Sequence, residues 1–341
     1  MFELAKIVRK NILNLKPYSS ARDEFSGKDG VFLDANENPY GTLNRYPDPH
    51  QKELKKKLSE LKSIAEENIF IGNGSDEVID LAFRIFCNPG KDKALTFSPT
   101  YGMYDVSAEI NEVDLIKIPL NRSFQIDLNI LENHLNEESL KLIFICSPNN
   151  PSGNSIENIE RVLQKFKGIV IVDEAYIDFS KADSYIKKLD QYPNLIVSQT
   201  FSKAWGLAAA RIGTAYSSAE IISLFNKTKP PYNVSELNQK AALNALENSS
   251  EFEKRKDIII EQKKLLEEKL KKLAVIKKVY PSDSNFILVE TSDANWVYNE
   301  LVNQKVITRN RNSLVKNCIR ITVGTPEENQ KLINALSKLE K

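Results

Sequence analysis

The segment "SQTFSKAWGLAAARIG", residues 198–213, sets one lysine and one arginine in a run otherwise bare of charge. Lys203 follows Ser202 and sits among Phe201, Ala204 and Trp205; Arg211 comes after three alanines. Two readings are open. The amine snorkels from an ordinary buried segment, or apolar flanks and a nearby cation lower its pKa and make it a base and nucleophile near neutral pH. Two other stretches carry complementary groups: "SPNNPSG" offers the Asn150 amide, and "VDEAY" the Asp173 carboxylate and Tyr176 phenol. Thr200 and Ser202 add hydroxyls beside the lysine. Each has a plainer reading too, Asn150 as a turn residue before proline and Asp173 as an N-cap or ion-pair member. Competing chemistries are poorly supplied. The two histidines, His50 and His134, have no metal-ligand spacing partner, and Cys87, Cys146 and Cys318 lie far apart with no CxxC pair. That disfavours a Ser–His–Asp or Cys–His set, a zinc site and a disulfide framework.

Something must bring these groups together. The middle of the chain alternates short β-branched runs with helical patterns: "KALTFSP", "VDLIKIPL", "KLIFICSP", "GIVIVDEAY", "NLIVSQTFS" and "RIGTAYS". Continuous apolar strands between helices predict a mostly parallel sheet covered on both faces. Ligands of such sheets bind beyond the carboxyl ends of the strands, where "SPNNPSG", "DEAY" and "TFSK" all fall. Ahead of these strands, "GNGSDEVIDLAFRIF" places Val78, Leu81, Ala82 and Ile85 at helical spacing, with Ser75 or Asp76 to open the helix. Glu174, next to Asp173, should face the other side of its strand and is read as structural.

After residue 234 the pattern changes. "EFEKRKDIIIEQKKLLEEKLKKLAVIKK" reads as one long charged amphipathic helix leaving the sheet, its charges a solvated face. A strand "SNFILVE", a helix "DANWVYNELVNQK", strands "VITRNR" and "CIRITVG" and a final helix follow. "TPEE" opens that helix with Thr325 as N-cap, Pro326 at N1 and Glu328 at N3. The expectation is an α/β chain with a large domain over 46–244, a small α+β domain over 245–341, and residues 1–45 as an N-terminal arm and part of the small domain. Totals agree: 341 residues with 41% hydrophobic and 27% charged content suit an enzyme-sized globular protein. Lys and Arg number 47 against 46 Asp and Glu, which argues against a nucleic-acid surface. No apolar run approaches the ~20 residues that span a bilayer, and the N-terminus lacks a signal-peptide pattern, so the cytoplasm is the expected compartment.

The ordered set "LDANENPYG", "RYPDP", "GNGSDEVIDL", "SPTYGMY", "SPNNPSG", "VDEAYIDF", "TFSKAWGLAAARIG" and "IRITVGTPEEN" resembles the fold-type I pyridoxal-phosphate-dependent aminotransferases over essentially the whole chain. The opening and closing motifs are similar to the histidinol-phosphate aminotransferase branch. The resemblance implies pyridoxal 5′-phosphate as cofactor, a seven-stranded large-domain sheet, and transamination between L-histidinol phosphate and 2-oxoglutarate. It implies Lys203 as the residue that condenses with the cofactor aldehyde and then shuttles protons, and Asp173 as partner of the pyridine nitrogen. Asn150 and Tyr176 would hold the phenolic oxygen, and Tyr101 would stack on the ring. Gly74, Ser75, Asp76, Thr200, Ser202 and Arg211 would surround the phosphate. Tyr46 would reach the phosphate of a neighbouring subunit, making a homodimer with shared sites.

Arg320, an arginine inside an apolar strand, would hold the substrate's acidic group, with Arg309 or Arg311 as a second anion holder. Tyr18 and Asn36 complete the implied substrate site, and no metal is implied. Two features depart from the family pattern: a short loop between Arg311 and Cys318, and "AAAR" where "AGLR" is commoner. The alternatives on this scaffold are an aromatic aminotransferase, a threonine-phosphate decarboxylase, or a non-catalytic cofactor-binding domain. The last usually lacks the lysine that is present here.

Overall fold

The computed structural model describes residues 2–19 and 30–340. Seven strands form the large sheet: β1 (Ile69–Asn73), β2 (Lys93–Ser98), β3 (Asp114–Pro119), β4 (Leu140–Cys146), β5 (Ile169–Asp173), β6 (Leu195–Thr200) and β7 (Ile212–Tyr216). Their spatial order is β1-β7-β6-β5-β4-β2-β3. From β6 through β3 all neighbours run parallel, whereas β7 is antiparallel to both β6 and β1. The six runs read as strands are strands, and the sheet is covered on both faces. Along β5, Val170 and Val172 enter one apolar cluster while Ile169 and Ile171 enter the other. The period-2 alternation of side chains feeds a core on each side.

β7 is the element that builds the site. Only the stretch between Thr200 and Ile212 separates β6 from β7, too short for the crossover helix a parallel connection needs. β7 therefore turns back, and its first residues lie beside the last residues of β6, with Thr200 paired to Gly213. Its other neighbour pairs Asn73, the last residue of β1, with Ile212. The carboxyl ends of β1 and β6 and the start of β7 thus share one edge. Gly213 is required there. A Cβ on it would stand 2.1 Å from the Ser75 amide nitrogen, so only glycine lets β7 approach the start of the helix Ser75–Phe86.

The second sheet is antiparallel, β10 (Arg309–Asn310), β11 (Cys318–Thr322), β9 (Phe286–Thr291) and β8 (Ile276–Val279) in spatial order. It packs with the helices Ser249–Leu270, Ala294–Asn303 and Pro326–Ser337 in a separate apolar cluster. The capping box is present: the Glu328 amide donates to Thr325 Oγ1 and the Thr325 amide to Glu328 Oε2.

Two expectations need correction. The long charged helix ends at Leu270, not near Lys278, because Ile276–Val279 pairs with β9 as an edge strand. The run "VITRNR" yields only the two-residue β10. β1 is a seventh strand beyond the six runs read as strands, and its burial is nearly complete. Near the start of the chain, Val8 and Ile12 pack in a large-sheet cluster, and the Arg9 amide donates to the Ile85 carbonyl.

Candidate active site

At the shared edge a pocket of about 120 Å³ is lined by Ser75, Asp76, Tyr101, Cys146, Asn150, Asp173, Tyr176, Thr200, Ser202, Lys203 and Arg211, among others. Chain segments far apart in sequence meet there because β4, β5 and β6 run in register: Cys146 pairs with Asp173, and Asp173 with Ser198. A larger cleft, about 390 Å³, lies elsewhere and includes Asn36, Arg45 and Tyr46. The smaller pocket holds the clustered amine, carboxylate and phenols, and clustered titratable groups mark chemistry better than volume does.

Lys203 reaches this pocket with its Nζ 5.8 Å from the Tyr176 ring centroid. Burial, then the positive charge of Arg320, lowers its pKa from the usual lysine range; Asp76 and Asp173 oppose this. The Asp173 carboxylate is buried and pushed up to about 6 by desolvation. Two donors oppose that push: the Tyr104 hydroxyl at 2.7 Å from Oδ2 and the Ala175 amide at 3.2 Å from Oδ1. Glu174 turns to the other side, where it accepts from Ser184 Oγ, the Tyr185 amide and Gln199 Nε2. Burial pushes its pKa to about 7, and its partners are structural.

The loop after β4 is locked by Asn149. Its Nδ2 donates to the Pro99 carbonyl and to Ser152 Oγ, and its Oδ1 accepts from Thr100 Oγ1. That lock leaves Asn150 facing the pocket, with its Nδ2 3.4 Å from the Tyr176 hydroxyl. At the opposite end, Gly74 has φ +83°, and a Cβ on it would stand 2.6 Å from Arg211 Nη2. The guanidinium therefore lies across the start of the helix Ser75–Phe86, where free amides and the helix dipole favour an anion. Arg211 also pairs with Asp76 at 3.1 Å, and Asp76 accepts from the Tyr101 hydroxyl. The Thr200 hydroxyl donates to Ser202 Oγ at 3.0 Å.

These groups match a flat, phosphorylated, pyridine-like ligand: an anion cradle at Gly74 and Arg211, an acid at Asp173, amide and phenol donors at Asn150 and Tyr176, and an amine. The sequence profile of the family described as "Aminotransferase class I and II" matches residues 29–336. The chain is 53% identical to the histidinol-phosphate aminotransferase of Cytophaga hutchinsonii, over 98% of this chain and 99% of that protein. It is 50% identical to that of Christiangramia forsetii, over 99% of each. The chain belongs to the histidinol-phosphate aminotransferase family of the class I and II aminotransferases. Its fold is also similar to the crystal structure of the histidinol-phosphate aminotransferase from Sinorhizobium meliloti in complex with pyridoxal-5′-phosphate. That likeness has a TM-score of 0.79 and 25% identity, and covers 89% of each chain.

Cations gather beside the pocket from the four-stranded sheet. Arg320 on β11 donates through Nη1 to Asn150 Oδ1, and its guanidinium lies 5.0 Å from the Phe286 ring centroid. Arg309 sits directly opposite Arg320 across the β10–β11 ladder. Arg311 follows at the turn, its pKa lowered to about 10 by burial and then by Arg320 and Arg309. The Nε atoms of Arg311 and Arg320 are buried without a hydrogen-bond partner among the described residues. Like charges placed this close repel one another, a repulsion that a bound anion would offset.

Three sequence candidates stand outside the pocket of this chain. Tyr46 stacks on Tyr232 with ring centroids 4.4 Å apart, and with Asn36 borders the larger cleft. Tyr18 is 70% exposed. Sequence reasoning overlooked Tyr104, Cys146 and Phe286. The first lies in "PTYGMY", three residues after Tyr101, on a helix that begins at Met103.

Proposed function

We propose that this aminotransferase moves the amino group between L-histidinol phosphate and 2-oxoglutarate, giving imidazole-acetol phosphate and L-glutamate, with pyridoxal 5′-phosphate as cofactor. The observation that carries this is the meeting, in one pocket, of the Lys203 amine and the Asp173 carboxylate, with the Arg320 guanidinium bonded to Asn150 in the pocket wall. When bound, pyridoxal phosphate supplies an aldehyde that takes up the amino group and a ring that accepts electrons from the substrate α-carbon.

The chain's own residues do the rest. Gly74, the amides at Ser75 and Asp76, Ser202 and Arg211 would hold the phosphate, and Thr200 orients Ser202. Asp173, kept ionised by its two donors, would hold the ring's nitrogen in its protonated state. Asn150 and Tyr176 would bind the ring oxygen, and Tyr101 would cover a ring face. Lys203 Nζ, with its lowered pKa, would accept the proton from the substrate α-carbon.

Arg320 and its neighbours Arg309 and Arg311 would clamp the substrate anion, a phosphate in one half-reaction and a carboxylate in the other, since a guanidinium fork suits both. The segment bearing Tyr46 exposes Val31, Leu33, Tyr40 and Leu43. A second copy of the chain would cover that surface and carry Tyr46, with Asn36 and Tyr18, to its partner's site. No helix among the described residues is long and apolar enough to cross a membrane, and we place the enzyme in the cytoplasm.

Steady-state rates with 2-oxoglutarate test the substrate. The specificity constant for histidinol phosphate should exceed those for phenylalanine and threonine phosphate by about tenfold or more, the contrast that a matched charge and ring pocket supplies. The same preparation should sediment as two chains. A preference for either rival substrate would overturn the reading.

A further inference from the structure

Tyr104 is a fully buried phenol on the helix Met103–Ile110, and its hydroxyl is one of the two donors to Asp173. Its ring is fixed on two sides. One face stacks on Phe144 at 4.9 Å between centroids and 22° between planes, and it meets Tyr101 edge-on at 5.7 Å and 90°. Held this way, the hydroxyl points at Asp173 Oδ2, 2.7 Å away. A phenylalanine would fill the same space, so packing accounts for the ring and leaves the hydroxyl unexplained. A buried hydroxyl needs a partner, and this one has a carboxylate. With the Ala175 amide on Oδ1, the two donors fix the carboxylate plane. They also favour its charged form against desolvation.

The Tyr101 contact adds a second constraint. Tyr101 would cover the cofactor's ring face, and Asp173 would meet the ring's edge at nitrogen. One residue, Tyr104, buttresses both. Resting on the roles given above to Asp173 and Tyr101, we infer that Tyr104 is a positioning residue for this reaction: its hydroxyl aims and charges Asp173 while its ring edge sets Tyr101.

Tyr104→Phe tests this because it removes the hydroxyl and keeps the ring. In the holoenzyme, kcat should fall about 10- to 100-fold, the usual effect of losing a hydrogen bond to a charged group. KM for histidinol phosphate and for 2-oxoglutarate should stay within about twofold, since the substrate anion contacts are untouched. The apoprotein should bind pyridoxal phosphate about tenfold more weakly, a readout independent of turnover. Wild-type kcat and cofactor affinity in Tyr104→Phe would overturn the inference. So would a parallel loss of kcat, KM and thermal stability, which would mark a packing role only. Asp173→Asn run alongside separates the layers. If it is inactive while Tyr104→Phe is normal, only the positioning role fails; if it is fully active, the role given to Asp173 itself fails.

Discussion

Replacing Lys203 by alanine is expected to reduce transamination of histidinol phosphate by about 10⁴-fold or more, the upper range for removing a positioned proton-transfer group that is also a nucleophile. The neighbourhood explains why no other side chain substitutes. Glu174 faces the opposite side of β5 and is engaged by Ser184, Tyr185 and Gln199. The Cys146 thiol, which borders the pocket, has its pKa raised by burial and by Asp173, so it stays protonated and unreactive. Lys203→Arg should fail almost as completely, because a guanidinium keeps its proton at neutral pH and cannot act as a base. Fold and anion sites should persist in both variants, so each should still bind pyridoxal phosphate, with an altered absorption spectrum. Steady-state assay and spectrum together check this. Activity within tenfold of wild type and an unchanged spectrum would remove Lys203 from the mechanism.

Arg320→Ala should produce the second-largest loss, about 100- to 1000-fold in kcat/KM for histidinol phosphate, in keeping with removal of a partly buried charge from its anion. Two effects combine. The anion loses its best-placed guanidinium, and Asn150 loses the donor that holds its Oδ1, freeing an amide that would bind the ring oxygen. Relief from the neighbouring charge should also raise the Lys203 pKa, since Arg320 is the principal charge depressing it. The acid limb of the kcat/KM profile, where Lys203 must lose a proton to act as base, should therefore move to higher pH in Arg320→Ala. Arg309→Ala and Arg311→Ala, measured beside it, separate two residues that sequence alone left equivalent. Arg311 is the more buried of the pair, and its charge interacts with Tyr176 in the pocket. A profile and specificity constant unchanged in Arg320→Ala would contradict the clamp.

Much of this was legible in the chain because it depends on local signals. β2 to β7 are apolar runs long enough to read, since strands buried on both faces carry few polar residues. Asn150, Asp173 and Lys203 were legible because each directly follows such a run. The failures have equally local causes. The helix Ser249–Leu270 runs on into Lys271 and Lys272 with no glycine or proline to mark its end, and only pairing with β9 makes Ile276–Val279 a strand. β1 is five residues, the last two of which, Gly72 and Asn73, belong to "GNG", so only three apolar residues were left to mark a strand. Tyr104 went unread because an aromatic on a buried helix face is ordinary core, and its partner Asp173 lies 69 residues away. The antiparallel sense of β7, which brings Gly74, Lys203 and Arg211 to one edge, follows from a connection length and not from any residue pattern. Tyr46, Asn36 and Tyr18 lie on surfaces that one chain alone does not connect to its pocket.

The central claim is that the Lys203 pocket carries an amino group from histidinol phosphate to 2-oxoglutarate. It is tested most directly by following the nitrogen. Holoenzyme incubated with histidinol phosphate labelled with nitrogen-15 at its amine, together with unlabelled 2-oxoglutarate, should yield labelled glutamate and imidazole-acetol phosphate in equal amounts, with no label in ammonia. Unlabelled glutamate, or consumption of histidinol phosphate without glutamate, would contradict it.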